Sequence, residues 1–96
     1  MQFVIIARDG VGPDVLARRV ASREAHLANM SRLKTNKNFI IGGPTLNDKG
    51  DMNGSVIIVE FSEREALDSW LANDPYVTNK VWETVEVLPY RVAKVD

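Results

Sequence analysis

The segment SVIIVEF (residues 55–61) limits the possible folds of this chain most strongly, because its apolar side chains fall on both faces of an extended strand. Successive side chains of a strand point to opposite faces, so Ile58 points away from Ile57 and Val59. The apolar run QFVIIAR at residues 2–8 has the same property. A sheet that is packed on one side alternates apolar and polar residues, so a sheet built from these two strands needs a cover on each face.

Helices and further strands alternate with these two segments. Pro13 and Asp14 are typical of a helix start, and we expect that helix to run to about Lys34. NFIIGGPTL at 38–46 predicts a second strand, and the turn-rich NDKGDMNG at 47–54 predicts a hairpin connection to the third.

The second half of the chain adds another helix and a last strand. The Ser-Glu-Arg-Glu segment at 62–65 matches a capping box, which predicts a helix that ends near Asn73. The Asp-Pro pair at 74–75 predicts a further short turn of helix. ETVEVLPYRVAKV at 83–95 predicts the last strand, and because Pro89 lacks an N–H donor, we expect this strand to lie at a sheet edge or to carry a bulge.

The predicted order is β-α-β-β-α-β within a single domain of residues 1–96. This order is typical of an α+β, ferredoxin-like fold, in which a four-stranded antiparallel sheet carries two helices on one face. The other face is also apolar, so we expect it to pack against a second copy and form a homodimer. The alternative is a monomer whose C-terminal segment folds across that face.

The composition excludes several classes of partner and chemistry. The net charge is −1, with 12 basic and 13 acidic residues spread along the chain. We therefore expect neither nucleic acid nor a membrane surface as a partner. The absence of cysteine excludes disulfides and thiol catalysis. The first apolar run is too short for a signal peptide or a membrane span, so we expect a cytoplasmic protein.

Helical geometry brings polar residues of the first helix close to its apolar side. At about 100° per residue, Leu16 and Val20 lie within about 20° of Leu27, and Met30 lies at about 60°. This arc is the predicted core-facing stripe. Arg23 falls inside it.

Other polar residues of this helix lie at the margin of the stripe or beyond it. Arg19 and His26 fall at about 80–100° from Leu27, whereas Asn29 falls on the side expected to face water. A buried unpaired arginine is very costly, so Arg23 and His26 favour a polar cleft beside the core. Both arginines can instead cover apolar surface with their stems, and a lone histidine can be purely structural.

Asp74 also has two interpretations. An aspartate before a proline is a good helix N-cap. A carboxylate can also orient a histidine or accept a substrate proton.

With these residues in view, the chain resembles the YciI-like (YCII-related) family of small α+β proteins over nearly its whole length. The resemblance rests on an RxxHL motif with Arg23 and His26, on the GGP of residues 42–44 and on the DPY of residues 74–76. It implies a dimeric α/β barrel with an active site around a His26–Asp74 pair. It also implies cofactor-independent chemistry on small organic acids or phenols.

The expected site follows from these positions. The His26–Asp74 pair would transfer protons, and Arg23 would bind a substrate carboxylate or phenolate. The remaining substrate-binding positions are a corner with little side-chain bulk, formed by Gly42, Gly43 and Pro44, and an aromatic wall at Tyr76. Tyr76 is equally compatible with a place in the core. One histidine with scattered carboxylates is no metal-ligand set, so neither a metal nor a cofactor is expected.

The available chemistry suits an isomerase, a lyase or a dehalogenase. The alternative is a non-catalytic dimer that binds or senses a small molecule with the same residues. A purely structural interaction domain is a further alternative, which no linker-like segment supports.

Overall fold

The computed structural model describes all residues from 1 to 96. Its elements follow in the order β1 (Gln2–Asp9), α1 (Pro13–Thr35), β2 (Phe39–Leu46), β3 (Met52–Glu60), α2 (Arg64–Ala72), α3 (Pro75–Thr78) and β4 (Trp82–Tyr90). Every predicted strand and helix is present, so the predicted β-α-β-β-α-β order is confirmed.

The four strands form one antiparallel sheet in the order β2-β3-β1-β4. The two runs of β-branched residues, β1 and β3, lie in its centre, where Ile5 pairs with Ile57. With helices packed on one face, this is a ferredoxin-like fold. Pro89 lies on the edge strand β4, as predicted, because an edge strand leaves one row of backbone donors unpaired.

The connection between β2 and β3 is tighter than predicted. Oδ1 of Asn47 accepts hydrogen bonds from the backbone N–H of Lys49 at 2.9 Å and of Asp51 at 3.0 Å. This side-chain turn closes the connection early, so β3 begins at Met52 rather than at residue 55.

The capping box predicted at the start of α2 does not form. The N-cap residue is Glu63 rather than Ser62, and no side chain caps the helix. The helix begins one residue later than the motif requires, so Glu65 lies two residues after the N-cap instead of three.

The hydrophobic core lies between the sheet and the helices. Alternate residues of the two central strands form its sheet side, and residues of the helices and of the connections around them form the other side. The buried core residues are Phe3, Ile5, Ala7, Leu33, Ile57, Val59, Phe61, Leu67, Tyr76, Val81 and Trp82. None of the helices combines the length and the apolar character that a membrane span requires.

The opposite face of the sheet is apolar and remains open. Ile6, Val56 and Ile58 are partly exposed there. The C-terminal segment after β4 is fastened at one end of the sheet, where the backbone N–H of Val92 donates to Oε1 of Gln2 at 2.7 Å. On the same face Val4 is buried, so the partly exposed apolar area is centred on Ile6, Val56 and Ile58.

The face that α1 turns inward differs from the prediction. The predicted stripe is exposed, with Leu16 44%, Val20 63% and Leu27 50% accessible. The buried residues of the helix are Val15, Arg19, Ser22, His26, Asn29 and Leu33. The helix is thus turned by about 100° from the orientation that its apolar residues favoured.

Polar partners explain this orientation. Arg19 pairs with Asp9, and His26 pairs with Asp74. A polar group that has its hydrogen-bond partners is buried at little cost, so these pairs outweigh the apolar stripe. The prediction that Arg23 lies within the core arc is also wrong, because its side chain is exposed at the side of the helix.

Candidate active site

The single histidine is held by a buried carboxylate. Nδ1 of His26, on α1, lies 2.9 Å from Oδ2 and 3.0 Å from Oδ1 of Asp74, which precedes α3. Because the carboxylate can only accept here, Nδ1 carries a proton and Nε2 of the neutral ring is the acceptor. Nε2 makes no hydrogen bond within the chain. It is not one of the fully buried polar atoms without a partner, so part of its surface is exposed.

Asp74 is both a helix cap and the partner of the histidine. Its Oδ2 accepts from the backbone N–H of Tyr76 at 3.0 Å, and its Oδ1 accepts from Nδ2 of Asn29 at 2.8 Å. The side chain is completely buried. The two interpretations of Asp74 therefore describe one arrangement, in which the cap of α3 places the carboxylate against the imidazole.

The ring of Tyr76 lies between His26 and Arg19. Its centroid is 3.9 Å from that of the imidazole, with 11° between the planes, and 4.7 Å from Cζ of Arg19. Positions 19 and 26 are two helical turns apart, about 10.5 Å along the axis, which leaves room for one ring between them. The indole of Trp82 meets the imidazole edge-on at 5.9 Å and belongs to the core.

Arg19 is a buried structural cation. Its Nε donates to Oδ2 of Asp9 at 2.7 Å, and its Nη2 donates to Oδ1 at 3.1 Å. Nη2 also donates to the carbonyl of Gly54 at 2.8 Å and to Oγ of Ser55 at 3.0 Å. The bidentate ion pair neutralises the charge, so Arg19 does not simply lay its stem over the surface.

A cleft of about 110 Å³ opens between α1 and the edge strand β2. It brings together His26, Arg23, Tyr76 and the Gly42–Pro44 corner, whereas Asp74 lies behind the imidazole. The remaining lining residues are Arg19, Leu27, Met30, Phe39, Ser55 and Ile57.

The two glycines of the corner differ in their surroundings. A Cβ on Gly42 would lie 3.1 Å from the carbonyl oxygen of Val56 and 3.2 Å from Ile57, so this position has little room for a side chain. A Cβ on Gly43 would meet nothing within 4 Å. Of these two positions, only Gly42 is tightly packed, and a side chain there would require its neighbours to shift by a few tenths of an ångström.

Arg23 is the charged residue of the cleft that has no ion-pair partner. Its Nη1 lies 3.0 Å from Sδ of Met52, and no carboxylate lies within ion-pair distance of it. Arg19, by contrast, is already paired with Asp9. An anion that enters the cleft thus finds one uncompensated guanidinium near its mouth.

Tyr76 is kept in its neutral form. Burial raises the pKa of Tyr76 above its ordinary value of 10.0, and the nearby guanidinium groups of Arg19 and Arg23 offset only part of this effect. A tyrosine hydroxyl is a donor at neutral pH even at its ordinary pKa, and the raised pKa extends this to higher pH.

Sequence reasoning missed two contributors to the site. Asn29 was expected in water, although its spacing of three from His26 brings both side chains to one carboxylate. Ser55 is the one polar residue among core-facing positions 55, 57 and 59 of β3. A small polar residue in such a row signals a buried polar partner, here Arg19.

The chain belongs to the family described as the YCII-related domain, which matches residues 1–91. It is similar to Protein YciI of Escherichia coli O6:H1 (strain CFT073), with 37% identity over 97 residues that cover 95% of this chain and 97% of that protein. The family resemblance carried by the RxxHL, GGP and DPY motifs is thereby confirmed.

Two solved structures share the fold. One is the 5-chloro-2-hydroxyhydroquinone dehydrochlorinase TftG of Burkholderia phenoliruptrix AC1100 in complex with 2,5-dihydroxybenzoquinone, with a TM-score of 0.83, 31% identity, and coverage of 97% of this chain and 96% of that one. The other is a dimeric ferredoxin-like protein of unknown function from Jannaschia sp. CCS1, with a TM-score of 0.50, 11% identity, and coverage of 95% and 98%. Dehydrochlorinase chemistry thus occurs in a protein that shares this fold and about a third of this sequence.

Proposed function

We propose that this chain is a cofactor-independent enzyme in which His26 and Asp74 carry out acid–base chemistry on a small organic acid or phenol. The observation that carries the proposal is the hydrogen bonding of the imidazole. Asp74 occupies Nδ1, so Nε2 is the nitrogen available to the cleft. The carboxylate also stabilises the imidazolium that forms when Nε2 takes a proton. A positioned acid–base group of this kind contributes about 10²–10⁴-fold to a rate.

The charge and size of the cleft favour an anionic ring compound. Arg23 supplies an uncompensated guanidinium for a carboxylate or phenolate. An apolar cavity of about 150 Å³ holds benzene. The cleft of about 110 Å³ is smaller but open to solvent, so it suits one six-membered ring that is only partly enclosed. The apolar walls Leu27, Met30 and Phe39 fit the edge or face of such a ring.

Dehydrochlorination is the reaction that the similarity to TftG favours among isomerase, lyase and dehalogenase chemistry. In a chlorinated hydroquinone, His26 can move a proton from a ring hydroxyl to the carbon that bears chlorine, which makes this carbon tetrahedral. Loss of a second hydroxyl proton to Nε2 then forms a carbonyl while the carbon–chlorine bond breaks and chloride leaves. The ring becomes a quinone and HCl is lost, so no external oxidant is needed.

The test is turnover of 5-chloro-2-hydroxyhydroquinone by the purified protein, followed by chloride release and by NMR of the product. We expect His26→Ala to keep its fold by circular dichroism and to lose turnover, while Glu24→Ala, an exposed change on the same helix, keeps it. Binding without any product would instead favour the non-catalytic sensor. Equal turnover by His26→Ala would contradict the assignment of the site.

We also propose that the chain forms a homodimer through the open face of its sheet. The support is the apolar surface of Ile6, Val56 and Ile58, which two helices on the other face cannot cover. Complete burial of an exposed side chain of this size stabilises by about 1.5–3 kcal/mol, and because these three are already partly buried, each adds a fraction of that amount. A twofold arrangement buries the same patch on both copies.

A further inference from the structure

The hydroxyl of Tyr76 is buried and has no hydrogen-bond partner within the chain. The whole residue is only 1% exposed. Buried polar groups in native proteins nearly always have a partner, and an orphaned one calls for a functional explanation. Arg18, Trp70 and Trp82 have buried polar atoms of the same kind, but Tyr76 is the one residue of these four that lines the cleft, where a ligand can supply the missing acceptor.

Tyr76 belongs to the lining of the cleft. It is the one residue of α3 that lines the cleft, while Asp74 and Pro75 beside it do not. Its backbone N–H is bound to Asp74 behind the imidazole. The ring lies between Arg19 and His26, and all three residues line the cleft.

Ser55 on β3 carries a second free hydroxyl proton. Its Oγ accepts a hydrogen bond from Nη2 of Arg19 at 3.0 Å, and no acceptor within the chain takes its own proton. The residue is 4% exposed and lines the cleft. A hydroxyl that accepts from a cation is polarised and becomes a stronger donor.

We propose that the hydroxyls of Tyr76 and Ser55 donate hydrogen bonds to ring oxygens of a hydroxylated aromatic or quinonoid ligand whose reacting group faces Nε2 of His26. This inference rests on the proposed function and makes Tyr76 and Ser55 catalytic residues. Arg19 acts through them as a positioning residue. As His26 removes a proton, the two donors stabilise the resulting oxyanion.

The pair also explains why the site takes oxygenated rings. A site that is built to donate to substrate oxygens strongly rejects an analogue without them, because its buried donors are then left unpaired. The phenol of Tyr76 is protonated at neutral pH at its ordinary pKa of 10.0, and burial raises this pKa further, so the donor is present.

Calorimetric titration with 2,5-dihydroxybenzoquinone tests the inference. We expect Tyr76→Phe to weaken binding by about 10-fold to 100-fold, as for a lost hydrogen bond to a charged group, and Ser55→Ala to weaken it in the same direction. Ser55→Thr retains the hydroxyl and should bind more tightly than Ser55→Ala. Trp70→Phe is the matched control, because Nε1 of Trp70 is also buried without a partner but does not line the cleft.

The outcomes separate the two proposals. If the wild type binds and Tyr76→Phe binds equally well with an unchanged fold, the hydroxyl pair is refuted while the His26–Asp74 site stands. If the wild type binds neither this quinone nor 5-chloro-2-hydroxyhydroquinone, both proposals fall. If Trp70→Phe loses as much affinity as Tyr76→Phe, the effect is a general one on packing, and the hydroxyl pair is again refuted.

Discussion

The imidazole of His26 stacks on the phenol ring of Tyr76, with their centroids 3.9 Å apart. One carboxylate positions both rings, because Asp74 accepts from Nδ1 of His26 and from the backbone N–H of Tyr76. The cap of a four-residue helix thus determines where the proposed base and the proposed hydroxyl donor lie. A change at Asp74 should therefore affect stability and chemistry together.

Asp74→Asn should lower both the stability of the fold and the rate of turnover. The new amide nitrogen must face one of the three donors that now reach the carboxylate, so we expect a loss of about 1–3 kcal/mol in the free energy of unfolding. Turnover should fall by about 10²–10⁴-fold, because the imidazole loses its orienting acceptor. Urea unfolding and chloride release measure the two effects. Asp68→Asn, in an exposed ion pair, is the control and should leave stability and turnover unchanged. An Asp74→Asn variant with the stability and turnover of the wild type would refute the role of the carboxylate.

Arg19→Met should be strongly destabilising. Asp9 would be left buried without its cation, a situation that costs about 3–5 kcal/mol. The exposed ion pair of Arg64 and Asp68 supplies the control, since Arg64→Met should cost no more than about 0.5 kcal/mol. Adding Asp9→Leu to Arg19→Met should recover part of the loss, measured as a coupling in urea unfolding. Equal stability of Arg19→Met and Arg64→Met would show that the buried pair is unimportant.

Stability at high pH should depend on Tyr76. Burial raises the pKa of Tyr76 above its ordinary value of 10.0, so the folded chain keeps a proton that the unfolded chain has already released. This contribution is complete below about pH 10 and is lost as the pH rises further. The free energy of unfolding of Tyr76→Phe should therefore fall less steeply above about pH 10 than that of the wild type, while the exposed Tyr90→Phe should follow the wild type. Parallel curves for Tyr76→Phe and the wild type would contradict the burial argument.

The open sheet face makes a prediction about assembly. Sedimentation equilibrium at micromolar concentration should find a dimer for the wild type and a folded monomer for Ile58→Lys, whose charge would lie in the centre of the interface. Val20→Lys places the same charge on the exposed side of α1 and should leave the dimer intact. A monomeric wild type would overturn the proposed interface.

The sequence predicts the fold well because the fold depends on strong local patterns. The two β-branched runs, the turn-rich connection at 47–51 and the edge position of Pro89 each specify their element without help from distant residues. The first residues of β3 and α2 differ from the predicted ones. A side-chain turn at Asn47 and an uncapped helix start at Glu63 set them, and both depend on local geometry that residue types leave open.

The candidate site was only partly predictable. Motifs marked His26, Asp74 and Tyr76, but helical periodicity assigned the wrong inward face to α1. The spacing of apolar residues does not predict that Arg19 pairs with Asp9. Nor does it predict that His26 and Asn29 share the carboxylate of Asp74, because these partners lie on other elements of the chain. Long-range polar pairing, rather than hydrophobicity, decides the orientation of this helix.

The proposed chemistry requires that Asp74 holds the proton on Nδ1 of His26 and leaves Nε2 as the acceptor that faces the cleft. Because His26 is the only histidine, long-range ¹H–¹⁵N correlation spectra of the imidazole report this site alone. At a pH where the ring is neutral, we predict a protonated Nδ1 and an unprotonated Nε2, with 2,5-dihydroxybenzoquinone shifting the Nε2 signal far more than that of Nδ1. A ring protonated on Nε2, or one whose nitrogen signals do not respond to the quinone when it binds, would contradict the account.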